Sequence, residues 1–426
     1  MTLYLKNASY IDWRNFEIHP TDIEVSEGSS GGIRFLEPTE NIDQIKTPGD
    51  SVIDCQGKYV TRSFVCGHHH AYSALARGMP APEKTPTNFS QILEYVWWNL
   101  DRNLDSEMVE ASALSTAMAC AKNGITFVID HHSSPFAITG SLQLMAQAFD
   151  KVGVSHLLCC ELSDRDGPEA MKNGLRETDD YLTKGKQGLV GLHASFTVGD
   201  DLLRDAVGLA EKHQSGIHVH VAEDACDQEI TKGLRGVSVI ERFKQSGALE
   251  FEKTILAHCL HLSDKEREIL KDSPAHIVLS IESNLNNNVG FFNPHLIDRR
   301  IMLGTDGMHS DMLRSAKACY FVGQGTEQIT PDAVYQRFRN AHHYLAENGF
   351  SGDRENNLVM LDYDPPTELN SQNFPGHFVF GIEAGHIETV ISNGIMVVDN
   401  RKLTTVDEAD INRFCREMAT RLWNKM

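Results

Sequence analysis

Residues 59–70 read YVTRSFVCGHHH, an apolar, β-branched run closed by three consecutive histidines. Side chains alternate faces along an extended strand, so with residues 59–66 in a strand His68 and His70 project to one side and His69 to the other. Two imidazoles on one face can share a metal ion, although a histidine pair alone also suits an ordinary polar strand end. Further along the chain the same association recurs, a short apolar run ending in residues of metal-ligand type.

Comparable runs lie at ITFVID (125–130), VSHLLCCEL (154–162), GLVGLHA (188–194), GIHVHVAE (216–223), TILAHCLHL (254–262), HIVLSIE (276–282) and IMLGTD (301–306). Helix-like segments such as LLRDAVGLAEKHQ (202–214) and SVIERFKQSG (238–247) separate them, the second closing on Gly247 as a C-cap. Strand–helix units repeated in this way over about 300 residues predict an α/β fold, a (β/α)8 TIM barrel. An open doubly wound sheet would be favoured by a glycine-rich phosphate loop after the first strand, and none follows it. The two ends read differently. Residues 1–57 and 357–426 hold short alternating strands (TLYLKNASYID, HIETVISNGIMVVDN) with an Asn-Gly turn. Neither end makes a stable sheet alone, so together they predict one small β domain beside a barrel spanning 58–356. Residues 407–425 have helical periodicity and should pack on that domain.

Composition excludes some classes of function. Lys plus Arg number 39 against 59 for Asp plus Glu, a net charge of −20 over 426 residues. Nucleic acid and anionic lipid are bound through Lys and Arg, so neither is an expected partner. The N-terminus lacks a basic segment followed by an apolar core, and no apolar run approaches bilayer-spanning length. Nine cysteines, an odd count without paired spacing, mostly lie in apolar strand-like segments, and the chain reads as a reduced, cytoplasmic protein.

Chemistry in such a barrel belongs at the C-terminal strand ends. Those ends carry His68 and His70, His131 and His132, Glu161, His193, His220 with Glu223, His258 with His261, Asn284, and Asp306 with His309. Neutral histidines do occur in satisfied cores, but rarely at one rim on most strands. His68, His70, His220 and Asp306 are the expected ligands: three imidazoles and a carboxylate leave a position for water on one divalent ion. Zinc is the first choice, and iron and manganese also accept these donors. His218 shares a face with His220 one repeat deeper and reads as a buried histidine bonded within the barrel. Glu223 is placed to carry a proton between water and substrate, and His258 to orient that water or steady developing charge, or else to serve structure alone. Residues 71–110 are longer than a usual loop and should cover the site. Within them Arg77 could hold an anionic or carbonyl group, or sit in a surface ion pair. Trp97 and Trp98 could stack on a flat ring, with one of the two expected in the core. Asn284, Asn286 and Asn287 could read ring nitrogens or cap a turn. His131, His132 and His309 are given no ligand role.

FVCGHHH (64–70), HVHVAE (218–223), AHCLHL (257–262) and LGTDGMHS (303–310), in that order, resemble the amidohydrolase superfamily, in its mononuclear branch of deaminases and triazine chlorohydrolases. GHHHAYSALARGMP (67–80), ILEYVWWNLDRNLD (92–105), ELSDRDG (161–167) and neighbouring stretches are further similar to the SsnA-type aminohydrolases, a subgroup associated with bacterial catabolism of purines and related rings. The resemblance implies the metal at His68, His70, His220 and Asp306, the proton shuttle at Glu223, an active-site histidine at His258, a substrate contact at His193, and no carboxylated lysine. It implies hydrolytic deamination of a nitrogen heterocycle by metal-activated hydroxide; opening of a cyclic amide or displacement of chloride is the alternative, and an inactive ligand-binding barrel would have lost Glu223 or a ligand. A homodimer is a family-level expectation. Two departures stand out: Arg62-Ser63 replaces the usual Pro-Gly, and Asn356-Asn357-Leu358 replaces an Ala-Asp-Leu pattern before the last segment.

Overall fold

A computed structural model describes residues 2–297 and 300–426. Eight parallel strands form the barrel: β1 Phe64–His69, β2 Ile125–His132, β3 Ser155–Leu162, β4 Val190–Ala194, β5 Ile217–Val221, β6 Ile255–His258, β7 His276–Leu279 and β8 Ile301–Leu303. Each is hydrogen-bonded to the next in chain order. Covered on both faces, these strands consist of near-continuous apolar residues rather than an alternation, as parallel sheets require. Val65, Phe127, Ile129, Leu157, Ala257, Val278 and Met302 fill the interior, and Tyr344 from helix Pro331–Glu347 closes the floor, its hydroxyl donating to the Lys253 carbonyl at 2.8 Å. The outer helices start where sequence supplies caps: Asp105 accepts from Met108 N ahead of Ser106–Lys122, and Ser263 with Glu266 makes a capping box at Asp264–Lys271. Gly247, in the left-handed region, follows helix Val239–Gln245 after one residue, close to its expected cap position.

The barrel shuts where β1 meets the end of β8. The His68 carbonyl accepts from the backbone N–H of Thr305 at 3.0 Å and of Asp306 at 3.1 Å. Side chains would obstruct this seam. A Cβ at Gly304 would lie 2.7 Å from the His68 carbonyl oxygen, and one at Gly67 2.8 Å from that of Leu303.

Both chain ends contribute to one nine-stranded sheet, as expected. Thr2–Ile11 and Ile18–Ser26 come from the start, and Leu358–Leu361, Ile387–Ser392 and Ile395–Asp399 from the end. They meet on Tyr59–Arg62, which pairs parallel with Thr2–Ile11 and antiparallel with Leu358–Leu361. The run read from sequence as one strand over 59–66 is therefore two. It breaks at Ser63, whose N–H bonds Asn357 while that of Phe64 bonds Gly124. Arg62 is buried at the break, 3.0 Å from Asp353 and 2.9 Å from Glu355, with Trp13 stacked beside it and beside Arg339. Asn356 donates to the carbonyls of Ser26 and Gly28 at 2.8 and 2.9 Å, and the side-chain oxygen of Asn357 accepts from Asn393 N at 2.8 Å. Both sequence departures thus lie at the join between barrel and sheet. All nine cysteines are unpaired and all but Cys226 are buried. No described helix is long and apolar enough to cross a membrane.

Two outcomes follow for stability. Gly304→Ala should lower the unfolding free energy by about 1–3 kcal/mol through overpacking at the seam, whereas Gly208→Ala, with open space around the added methyl, should leave it unchanged or raise it; urea unfolding reads both. Burial alone would raise the Asp353 pKa, but His342 and Arg62 outweigh it and hold the carboxyl at about 2. Its contribution is complete above the ordinary carboxylate range and drains as pH falls towards 2. Unfolding titrations at pH 5 and pH 3 should therefore show a smaller loss of stability in Asp353→Asn than in the unaltered protein.

Candidate active site

β1 delivers His68 and His70 to the barrel axis, and β5 delivers His220 to the same point. The His70 and His220 rings stack with centroids 5.1 Å apart, and His68 meets His70 edge-on at 4.7 Å. His69 points away, 2.9 Å from Ser310 Oγ, as alternation predicts. His70 Nδ1 and His220 Nδ1 each lie against a backbone carbonyl, that of His131 at 2.7 Å and that of His193 at 2.8 Å. A carbonyl only accepts, so the hydrogen-bond network assigns the ring hydrogen to Nδ1 in both and turns Nε2 inward.

The two inward Nε2 atoms are 3.0 Å apart. His70 Nε2 lies 3.1 Å from Asp306 Oδ1, and His68 Nε2, buried without a hydrogen-bond partner, lies 3.8 Å from the same oxygen. Lone pairs of two neutral imidazoles at that separation repel unless positive charge lies near them. A proton can supply it: burial opposes charge on His70, but Asp306 outweighs burial and lifts this imidazole to about 9. A divalent cation supplies it better, because it also engages His68. His68, His70 and Asp306 form one group of donor atoms close enough to hold such an ion, and His220 joins two others, one with His68 and His258 and one with His70 and His131.

β6 and the residues after β5 and β8 complete the centre. His258 Nε2 is buried without a hydrogen-bond partner, 3.5 Å from Glu223 Oε2 and 3.8 Å from Asp306 Oδ2. An oxygen atom among these three groups would be in reach of all of them. Burial raises the Glu223 pKa and Asp306 adds to it, with His258 opposing. Burial also disfavours charge on Asp306, yet His70, His68 and His258 hold it well below the carboxylate range. Ala222, His258 and Asp306 all adopt positive φ (44°, 71° and 53°). Non-glycine residues in that region carry backbone strain, which concentrates at functional sites. Here it is held by bonds such as Leu260 N to the Ala222 carbonyl at 3.1 Å.

A cavity opens over the centre. His70, His193, His220, Glu223 and Asp306 line it together with Tyr72, Phe89, Leu93, Trp97, Trp98 and Met308. Most of this apolar wall comes from residues 71–103, within the segment 71–110 expected to cover the site. A π-helical turn over Leu93–Trp97 runs into helix Trp98–Asn103. Both tryptophans reach the cavity, and both also pack, partly buried, against the hydrophobic core. Trp98 meets His193 edge-on at 5.9 Å.

Two expected substrate contacts lie elsewhere. Arg77 is exposed at the end of a short helical turn and does not line the cavity. Asn284 is buried behind His258, its Oδ1 2.8 Å from Nδ1 of that ring, so it orients the histidine. Asn287 reaches the cavity instead, donating to Glu223 Oε1 at 3.3 Å. His131 joins His70 and His220 in one group of possible donor atoms, but its nitrogens also have neighbours of their own: Nε2 lies 3.2 Å from the carbonyls of Leu192 and His218, and Nδ1 3.5 Å from Glu161. His132 bonds Ser134, and His309 bonds Glu282.

A buried charged group beside the cavity escaped the sequence reading. Arg165 pairs with Asp101, lies 3.3 Å from Glu161 and 3.1 Å from Asp166, and stacks on Trp98 at 5.2 Å. Asp101 and Glu161 line the cavity, their pKa values pushed up by burial to about 6 and about 7. The ELSDRDG stretch contains both Glu161 and Arg165, but their meeting with Asp101 depends on how residues 71–103 fold back.

The sequence profile of the amidohydrolase family matches residues 59–337, more than half of the chain. The chain belongs to the amidohydrolase family. Among curated relatives of this amidohydrolase are a 5-methylthioadenosine/S-adenosylhomocysteine deaminase of Thermoanaerobacter pseudethanolicus, 25% identical over 96% of both chains, and a 5'-deoxyadenosine deaminase of Methanopyrus kandleri, 25% identical over 92% of this chain and 93% of the relative. Similar solved structures include an adenosine deaminase from Xanthomonas campestris with bound zinc (TM-score 0.83, 16% identity, 99% and 98% coverage) and Escherichia coli guanine deaminase (TM-score 0.76, 17% identity, 94% and 99% coverage). The atrazine chlorohydrolase TrzN of Arthrobacter aurescens, complexed with zinc, aligns at TM-score 0.79 with 13% identity over 98% and 100% of the two chains. At these identities the structural likeness is one of fold.

Proposed function

We propose that this amidohydrolase is a metal-dependent deaminase of a purine or adenosine-like ring, using one divalent ion, zinc by preference, held by His68, His70, His220 and Asp306. The observation that carries the reading is a chain of close contacts beside an aromatic-walled cavity: His70 Nε2 lies 3.0 Å from His220 Nε2 and 3.1 Å from Asp306 Oδ1, and His68 Nε2 lies 3.8 Å from that same oxygen. Names of the curated relatives, two kinds of adenosine-type deaminase, support the ring class. The stretches quoted from residues 67–167 favour the SsnA-type subgroup, and residues 58–356 are assigned to the catalytic barrel except for Tyr59–Arg62, which pairs into the sheet formed by segments 1–57 and 357–426.

Bound there, the ion would lower the pKa of water towards neutrality and so make a nucleophile available at physiological pH. The protein's own groups do the rest. Trp97 and Trp98 stack on the flat ring, and His193 contacts its edge. Asp306 and His258 hold the attacking oxygen against the ring carbon that bears the amino group. Glu223, whose burial lets it hold a proton, takes one from the attacking water and passes it to the adjacent ring nitrogen, then takes the second from the hydroxyl now on the ring carbon and passes it to the departing amine. One water is consumed, the C–N bond breaks, and ammonia leaves with a ring carbonyl in its place.

Purified protein should contain about one divalent ion per chain by elemental analysis, and should release ammonia from at least one member of a panel of adenosine-type nucleosides, free purines, pterins, pyrimidines and aminotriazines. Chloride release from chlorotriazines with no ammonia from any of these would move the assignment to dechlorination. Glu223→Gln should retain the ion and lose about 10²–10⁴-fold in kcat; undiminished turnover in that variant would remove the shuttle.

A further inference from the structure

The three histidines of the centre are held from behind in two ways. Backbone carbonyls fix His70 and His220, as described above. His68 is fixed by another imidazole: its Nδ1 lies 2.9 Å from Nε2 of His218. An imidazole nitrogen either donates or accepts, so this contact alone leaves open which nitrogen of His68 bears hydrogen. If Nε2 bore it, His68 could not bind a cation.

The next links decide the direction. His218 Nδ1 is 3.7 Å from Cys159 Sγ, and that sulfur is 3.6 Å from the Asp130 carbonyl oxygen. His68, His218 and Cys159 are all fully buried, so water does not compete for these bonds. Burial also pushes the Cys159 thiol well above its ordinary range, so the sulfur keeps its hydrogen. The carbonyl can only accept, so Cys159 donates to it. The sulfur then offers lone pairs to His218, whose Nδ1–H donates. His218 Nε2 is left with a lone pair and accepts from His68 Nδ1–H. One assignment satisfies every link, and it leaves His68 Nε2 bare, facing Asp306.

We propose that His218 and Cys159 are positioning residues: they relay the acceptor character of the Asp130 carbonyl to His68 and so keep its Nε2 available to the cation. The inference rests on the metal-dependent reading above. It explains why a histidine two residues before His220, on the same strand face, lies below the ligands rather than among them. Supporting groups of this kind tune metal affinity by fixing the tautomer and orientation of the ligand.

The test is zinc affinity, measured on the full chain stripped of metal, by competition with a chromophoric chelator and zinc alone. His218→Leu removes the acceptor and should weaken zinc binding by about 10–100-fold. His218→Gln restores an amide oxygen for His68 and an amide N–H for Cys159, and should recover most of the loss. Cys159→Ser keeps both acceptor and donor and should stay close to the unaltered protein, while Cys159→Ala should bind more weakly. A packing role alone would weaken Gln and Leu together, so equal affinity in those two variants overturns the relay. Should His218→Leu not fold, the Ser and Ala pair at Cys159 decides, and equal affinity there overturns it too. Failure of the unaltered chain to bind zinc would overturn the relay and the metal reading together; tight binding that none of these variants changes would overturn the relay alone.

Discussion

The carbonyl of His68, accepting from the backbone of both Thr305 and Asp306, is the contact on which the rest of the molecule depends. It joins the first strand of the barrel to the end of the last and so closes the sheet. It also sets a carboxylate from residue 306 beside imidazoles from residues 68 and 70. Gly67 and Gly304 permit the approach because a side chain on either would strike the opposing backbone. Barrel closure and assembly of the centre are therefore one event, and a defect at the seam disturbs both.

Crowding imidazoles and carboxylates into a dry barrel mouth is electrostatically costly, and the arrangement gives the charges distinct duties. Asp306 faces three histidines and stays ionised despite burial. Burial raises the proton affinity of Glu223 and the Asp306 charge adds to it, against the opposing pull of His258. Two carboxyl groups flanking His258 are thus pushed in opposite directions by their surroundings, the usual basis for dividing a fixed negative charge from a proton carrier. Left-handed backbone at His258 and Asp306 is the local cost of aiming both side chains at one point.

The apolar wall of the cavity is built on a different part of the chain from the histidine cluster. Residues 71–103 lie over the centre and bring Tyr72, Phe89, Leu93 and the paired tryptophans to one cavity. The segment is braced from below by Arg165, which meets Asp101 of the cover and Glu161 of β3 while stacking on Trp98. A cover fixed through a buried ion group keeps its aromatic wall in place without belonging to the barrel.

Much of this was legible in the chain itself. The apolar runs and their spacing specify a barrel because parallel strands buried on both faces must be nearly uniformly apolar, and a period of two places His68 and His70 together with no knowledge of the fold. Contacts between distant segments were not legible in that way. The strand read over 59–66 divides at Ser63 because Leu358–Leu361 pairs with one half and Ile125–His132 with the other. Arg77 is adjacent to the ligands in sequence but turns outward, while Asn284 meets His258 rather than the cavity. The candidate ligand residues and the strand ends that carry them were legible in the sequence, since both follow from residue type and local periodicity. Which groups stand behind the ligands, Cys159, His218, Asn284 and the carbonyls of His131 and His193, was decided by tertiary structure, because hydrogen-bond direction is a property of neighbours that only closure of the barrel brings together.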